Sequence, residues 1–381
     1  MSKIFLDNNS TTKTDPEVLK KMISCFETNY GNAASSSHIF GWNAKSEIEI
    51  ARNRIAKLIN ADDNEIIFTS GATEANNLAI NGYFIKNKTQ YSNIITSNIE
   101  HKAVLDVCIK IQSIYSNAIQ FIKVENNGMI NLDRLKKTIN KDTIMVSIIH
   151  VNNEIGVIQP IQEIGKICKD NKLILHVDAA QSAGKIKIDV KKMNIDLLSI
   201  SSHKMYGPKG VGALYINKNS KKINLEPLIV GGGQEQNLRA GTLPTGLIAG
   251  FGKACEINKN DMIDNEKKIL SLRKLMTDMI IDSIPNCIIN GTLKNRIAGN
   301  INFSFPMLNG MTIINSLNNI AVSNGSACTS STSKPSHVLL AIGRNKKEAL
   351  SSIRIGIGKF NTNQEIIKSA KTIIEVIKNK S

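Results

Sequence analysis

Leu173-Ile174-Leu175-His176-Val177-Asp178-Ala179-Ala180-Gln181-Ser182 and Leu197-Leu198-Ser199-Ile200-Ser201-Ser202-His203-Lys204 each run from an apolar stretch of strand length into a polar turn. A short apolar run closed by polar residues reads as a buried strand. Working outward, Ile66-Ile67-Phe68, Asn93-Ile94-Ile95, Met145-Val146-Ser147-Ile148-Ile149 and Gly212-Ala213-Leu214-Tyr215-Ile216 have the same character. Helix-like segments lie between several of them, at 73–80 and 161–170. This alternation predicts an α/β fold with a mainly parallel sheet covered by helices on both faces. Ligands in such sheets lie at the carboxyl ends of the strands, so the residues following each run are the functional candidates.

From about residue 259 the pattern changes. A helical region at 264–279, candidate strands at 287–289, 300–305 and 353–355, and a C-terminal helix predict a smaller α+β domain. The expected division is 14–258 as a large domain, with 1–13 and 259–381 together as the small one. Between the small domain's strands, 323–336 is rich in serine, glycine and threonine and reads as an exposed loop.

Composition narrows the class. The chain has 381 residues, 41% of them hydrophobic and 21% charged, which is ordinary for a globular protein with a sizeable core. No apolar run approaches the ~18 residues that would cross a bilayer. The N-terminus shows no basic-then-apolar signal, so no membrane association and a cytoplasmic location are expected. A net charge of +16 raises nucleic-acid binding, but the lysines are spread along the chain rather than gathered in a stripe, and no direct nucleic-acid contact is expected. Six scattered cysteines contain no C-x-x-C pair, against a zinc site or a disulfide framework.

Four motifs stand at strand ends. Thr69-Ser70-Gly71-Ala72-Thr73 opens a helix after a glycine turn, which serves either as an ordinary cap or as a phosphate cradle of free N–H groups. His101, in Asn98-Ile99-Glu100-His101-Lys102, is a core or capping histidine, or one placed for ring stacking and proton transfer. Asp178 is suited to a metal, a helix cap or a protonated ring nitrogen. Lys204, in a polar turn between apolar strands, is either solvated or a Schiff-base lysine once desolvated.

Phosphate cradle, histidine, strand-end aspartate and lysine, in that order, resemble the fold-type I pyridoxal-phosphate enzymes of the class-V aminotransferase family. Within that group the chain is similar to the cysteine desulfurases of the NifS/IscS class. The resemblance runs from residue 5 to residue 354 and includes Gly31-Asn32, His150-Val151-Asn152-Asn153-Glu154-Ile155-Gly156, Arg239-Ala240-Gly241-Thr242 and Gly325-Ser326-Ala327-Cys328-Thr329-Ser330. It implies a mainly parallel seven-stranded sheet, with pyridoxal 5'-phosphate joined to Lys204. Asp178 would pair with the ring nitrogen, Gln181 would donate to the phenolic oxygen, His101 would stack on the ring and Asn153 would lie beside it. Ala72, Thr73, Ser201, Ser202 and His203 would hold the phosphate, and Thr242 that of a neighbouring subunit, which implies a homodimer. Arg354 would grip the carboxylate of L-cysteine.

The resemblance further implies that Cys328 takes the substrate sulfur as a persulfide, releases L-alanine, and passes the sulfur to an acceptor. That acceptor would be an iron–sulfur scaffold protein or a tRNA-thiolation partner. The same thiol is a candidate transient ligand to an iron–sulfur cluster. A selenocysteine lyase or another enzyme of this fold is the alternative, against which the loop cysteine weighs. Ala33 stands where relatives usually carry proline. The sequence stops at Ser381, short of the tail that relatives use in scaffold docking, so docking through such a tail is not expected.

Overall fold

The computed structural model describes residues 3–219, 223–324 and 334–380. In chain order its strands are β1 (Ile4–Phe5), β2 (Ile66–Thr69), β3 (Asn93–Ser97), β4 (Ile119–Ile122), β5 (Thr143–Ile149), β6 (Ile174–Asp178), β7 (Leu197–Ser201), β8 (Gly212–Ile216), β9 (Ile288–Ile289), β10 (Asn300–Ser304), β11 (Ile320–Ala321) and β12 (Ser352–Gly356). Seven form the main sheet, in the order β2-β8-β7-β6-β5-β3-β4. β4, β3, β5, β6 and β7 run parallel, and β8 is antiparallel to both of its neighbours. The strand β4 has no counterpart in the sequence reading. It lies at the sheet edge, where Gln120 and Phe121 reach solvent and break the continuous apolar signal of a central strand.

Successive side chains of a strand point to opposite faces, and here that alternation sorts them into two cores. Phe68, Ile95, Val146, Ile148, Leu175, Val177, Leu198 and Ile200 face a core closed by the helices Ile39–Ile59 and Ile161–Asp170. Ile67, Ile94, Met145, Ile174, Leu197 and Leu214 face the other, closed by Lys102–Ile114 and the helical run that begins at Ala72. On this second face the pattern changes halfway along the strands. Thr96, Ser147, His176, Asp178, Ser199 and Ser201 follow the apolar positions, all buried. That face is greasy at the amino ends of the strands and polar at their carboxyl ends.

A third core gathers Ile4 and Leu6 with β10, β12 and the C-terminal helix Asn363–Lys380. A helix 39 residues long, Thr245–Ser283, runs from the main-sheet side into it. This helix begins 19 residues before the expected region at 264–279 and crosses the division expected at residue 259 without a break. Gly246, Gly250 and Gly252 lower the helix propensity of its first half and so conceal it in the sequence. They are needed for packing: a Cβ at Gly250 would sit 2.5 Å from Met22 Cγ, and one at Gly252 2.5 Å from Ala51 Cα. Among the described residues no helix is long and apolar enough to cross a membrane.

Gly212, at the start of β8, packs tightly against the turn at Gly71. A Cβ there would lie 2.5 Å from the Ile200 carbonyl oxygen and 2.6 Å from Gly71 Cα, both backbone atoms that cannot swing aside. Gly212→Ala is expected to lower the unfolding free energy by about 1–3 kcal/mol. Urea denaturation checks this, and a variant as stable as the parent would show that the turn yields freely.

Candidate active site

The polar half of the second face opens into a cavity of about 380 Å³, whose lining includes Ser10, Thr73, Asn76, His101, Asn153, Asp178, Gln181, Ser201, His203 and Lys204. Each comes from a segment at the carboxyl end of a strand or beside one. After β2, Gly71 takes φ +156°, a backbone state that glycine adopts readily, and the helix Ala72–Asn77 follows. Thr69 Oγ1 donates to the Gly71 carbonyl at 3.0 Å, and Ser70 N donates to Glu74 Oε2 at 2.9 Å. The amides of Ala72 and Thr73, in the first helical turn, have no acceptor within the helix and border the cavity.

The floor belongs to β6. The sequence reading ends this strand at Leu175, but it continues to Asp178, so His176 and Asp178 lie within the ladder rather than after it. Asp178 is buried; its Oδ1 accepts from Ala180 N at 2.9 Å and its Oδ2 from Asn76 Nδ2 at 2.8 Å. Behind it, His176 lies between Ser147 Oγ at 2.8 Å and Ser199 Oγ at 3.0 Å, and burial pulls its pKa down to about 4. At the N-cap of Lys102–Ile114, His101 Nδ1 accepts from Ala103 N at 3.1 Å. An accepting Nδ1 leaves the ring's proton on Nε2, and burial, then the neighbouring Lys204, lower its pKa. His203 Nδ1 meets Thr11 Oγ1 at 3.1 Å; burial, with Lys204, Lys209 and Lys185 nearby, takes its pKa to about 4.

Not every expected residue reaches the cavity. Ser202 does not line it: it opens the turn that follows β7, and its hydroxyl points to where a Cβ on Gly207 would come within 2.1 Å of the Oγ. Arg354 lies directly behind the wall. It is 1% exposed, with Nη1 donating to the Asn153 carbonyl at 2.9 Å and Nη2 to Asp7 Oδ1 at 2.8 Å and Ser10 Oγ at 2.6 Å. Thr242 is exposed and outside the cavity, on a segment that the Arg239–Glu74 ion pair, at 3.0 Å, ties to the phosphate-side helix. The loop at 323–336 is described only at its ends, and Cys328 lies outside the described residues. Sequence reasoning missed Asn76 and Ser10. Asn76 was within reach, because it follows Ala72 by four residues and so shares its helix face.

The donor set has a directional chemistry. One end offers free amides and hydroxyl groups suited to a phosphate, the floor offers a carboxylate suited to a protonated ring nitrogen, and Lys204 offers an amine to a carbonyl carbon. Gly71 has open space on the side where a Cβ would project. The residues present therefore fit a phosphorylated pyridine aldehyde.

Comparison with known proteins agrees with this chemistry. The Aminotransferase class-V family matches residues 4–368. A protein of Ehrlichia chaffeensis named cysteine desulfurase IscS is 50% identical over 377 residues, 98% of this chain and 91% of that protein. A mitosomal cysteine desulfurase of Trachipleistophora hominis is 48% identical, covering 99% of this chain and 86% of its own length. Among solved structures, a NifS-like protein superposes with a TM-score of 0.91 at 35% identity, over 99% of this chain and all of its own.

Beside His101, Glu100 has its carboxyl fully buried and its pKa raised to about 8. Burial dominates, Asp178 adds to it, and a 2.5 Å hydrogen bond from Ser97 Oγ opposes it. The folded chain therefore keeps this proton where the unfolded chain has lost it. Stability falls as pH rises from about 4.5 to about 8, by up to about 1.4 kcal/mol per unit. Glu100→Gln is expected to remove that slope, so that denaturation curves of variant and parent separate progressively from pH 5 to pH 8. Curves that stay parallel would mean that Glu100 is ionised in the fold.

Proposed function

The chain belongs to the aminotransferase class-V family, among its cysteine desulfurases, and from that premise we propose that it holds pyridoxal phosphate in the strand-end cavity and moves the sulfur of L-cysteine onto Cys328. The observation that carries this reading is the meeting of Asp178, Lys204 and the Gly71 turn on one cavity. Lys204 would hold the cofactor through its amine, Asp178 through the ring nitrogen, and Gln181 through the phenolic oxygen. The amides of Ala72 and Thr73, with Ser201 and His203, would hold its phosphate. When bound, the cofactor supplies an electron-withdrawing ring that weakens the substrate's carbon–sulfur bond.

The chain's own groups do the rest. Asp178, out of water and fixed by two donors, presents its charge in a medium where Coulomb attraction is far stronger than in solvent. His101, on the cavity wall, would lie against the bound cofactor and assist proton transfer, and Lys204 would move the proton at the substrate's α carbon. Arg354, now held by Asn153, Asp7 and Ser10 behind the wall, would exchange the Asp7 and Ser10 contacts for the substrate carboxylate, which its planar fork suits. The Cys328 thiolate then attacks the substrate sulfur. A sulfur–sulfur bond forms, the carbon–sulfur bond breaks with its electron pair going to carbon, and a proton taken up there completes alanine.

The other thiols are poor rivals for the role. Burial raises the pKa of Cys25, Cys108 and Cys287, reaching about 12 at Cys108. The sulfur leaves as a persulfide for an acceptor, with iron–sulfur assembly as the destination favoured by the kinship with IscS proteins. We read the active form as a homodimer in which Thr242 serves the partner's phosphate. Its exposure, together with the exposed Phe26, Tyr30 and Trp42, supports that reading.

Loaded with pyridoxal phosphate and given L-cysteine and a reductant, the protein is expected to release alanine and sulfide in equal amounts. Lys204→Ala and Cys328→Ala should each lose more than about 100-fold of the rate, while Cys328→Ala still binds the cofactor. Sulfide released by Cys328→Ala at the parental rate would overturn the assignment.

A further inference from the structure

Gln181 is 1% exposed, and both ends of its amide are engaged. Its Nε2 donates to the Asn9 carbonyl at 2.6 Å, and its Oε1 accepts from Lys185 Nζ at 3.1 Å. The partner on one side can only accept, and the partner on the other is a donor. Reversing the amide would set its oxygen against a carbonyl and its N–H groups against an amine, so one orientation is fixed.

The backbone makes this contact. After β6 the chain coils tightly, with Ala183 N donating to the Ala179 carbonyl at 2.9 Å and Lys185 N to the Ser182 carbonyl at 3.0 Å. That coil brings side chains four apart onto the same side. Lys185 itself is placed among cations: burial, then Lys204 and Arg354, pull its pKa down to about 7. A lysine kept in such company calls for a reason, and none of the groups assigned above to cofactor or substrate requires it.

We propose that Lys185 is a positioning residue that, with the Asn9 carbonyl, locks the Gln181 amide so that only an N–H donor is presented to the cofactor cavity. The inference rests on reading that cavity as a pyridoxal phosphate site, with Gln181 at the phenolic oxygen. The amide has two N–H groups; one is held by Asn9, and the second is left for the cavity that Gln181 borders. Protonated Lys185 can only donate and so enforces this orientation; a neutral amine can also accept, and above its titration the Asn9 carbonyl alone fixes the amide.

The test uses the whole chain reconstituted with pyridoxal phosphate, reading the absorbance of the bound cofactor as a function of pH. A hydrogen bond to the phenolic oxygen favours one charge state of the chromophore. Lys185→Met should therefore shift the titration midpoint in the same direction as Gln181→Leu, by about 0.5–1 pH unit. The double variant should match Gln181→Leu alone, since both changes remove the same interaction. Lys185→Arg, which keeps a donor, should return the midpoint towards the parental value. Should Lys185→Met fail to fold, Lys185→Gln replaces it, because an amide pairs with Gln181 either way round and the same shift is expected. A Lys185→Met or Lys185→Gln midpoint equal to the parent's, or shifts that add in the double variant, would overturn the proposal. Absence of any bound-cofactor band in the parent would overturn the reading of the site, and this inference with it.

Discussion

Asp178 ends a strand that is buried along its whole length, and the need to keep that carboxylate satisfied away from water governs the arrangement around it. A charge in such a place requires donors within reach. One comes from the chain's own next turn, at Ala180 N, and the other from Asn76, across the sheet on the phosphate-side helix. The Asn76 contact joins the two halves of the cavity, because the helix that donates to Asp178 also opens with the free amides of Ala72 and Thr73. The anchor for one end of a ligand and the cradle for the other are thus parts of one hydrogen-bonded unit.

The same desolvation keeps the surrounding histidines neutral. His150, His176 and His203 all have pKa values near 4, mainly through burial. Near neutral pH they act as dipoles that can donate or accept, and they add no cation beside Lys204, Lys185 and Arg354. With Lys204 already on the cavity wall, a protonated imidazole there would compete directly for the Asp178 carboxylate.

Much of this was legible in the residues, where one physical signal stood alone. Ile161–Asp170 and Gly212–Ile216 appear with the expected limits, since period and length there had no competitor. His101, Asp178 and Lys204 were singled out because each lies in a polar stretch after a strand candidate, and all three line the cavity. Where two requirements met at one position, the sequence misled. Glycines needed for close packing hid the first half of the Thr245–Ser283 helix, and buried polar residues made β6 look short. Ser202 was expected at the cofactor through the resemblance alone; it opens the turn after β7, with its hydroxyl towards Gly207. The engagement of Arg354 with Asp7 and Ser10 joins residues some 350 positions apart, and no local pattern carries it.

The helix that spans two cores gives the molecule leverage. At 1.5 Å per residue it is a rod of about 58 Å. Its glycine-bearing end is wedged against Met22 and Ala51, while Leu272, Met276 and Ile280, on its far half, are embedded in the third core. A tilt of about 2° at the wedged end would carry the other end about 2 Å, a displacement comparable with a hydrogen bond. That third core also contains β12, which carries Arg354. A small change in how three glycines seat against their neighbours would therefore be magnified at the back wall of the cavity, and packing far from the chemistry can set how firmly that wall is held.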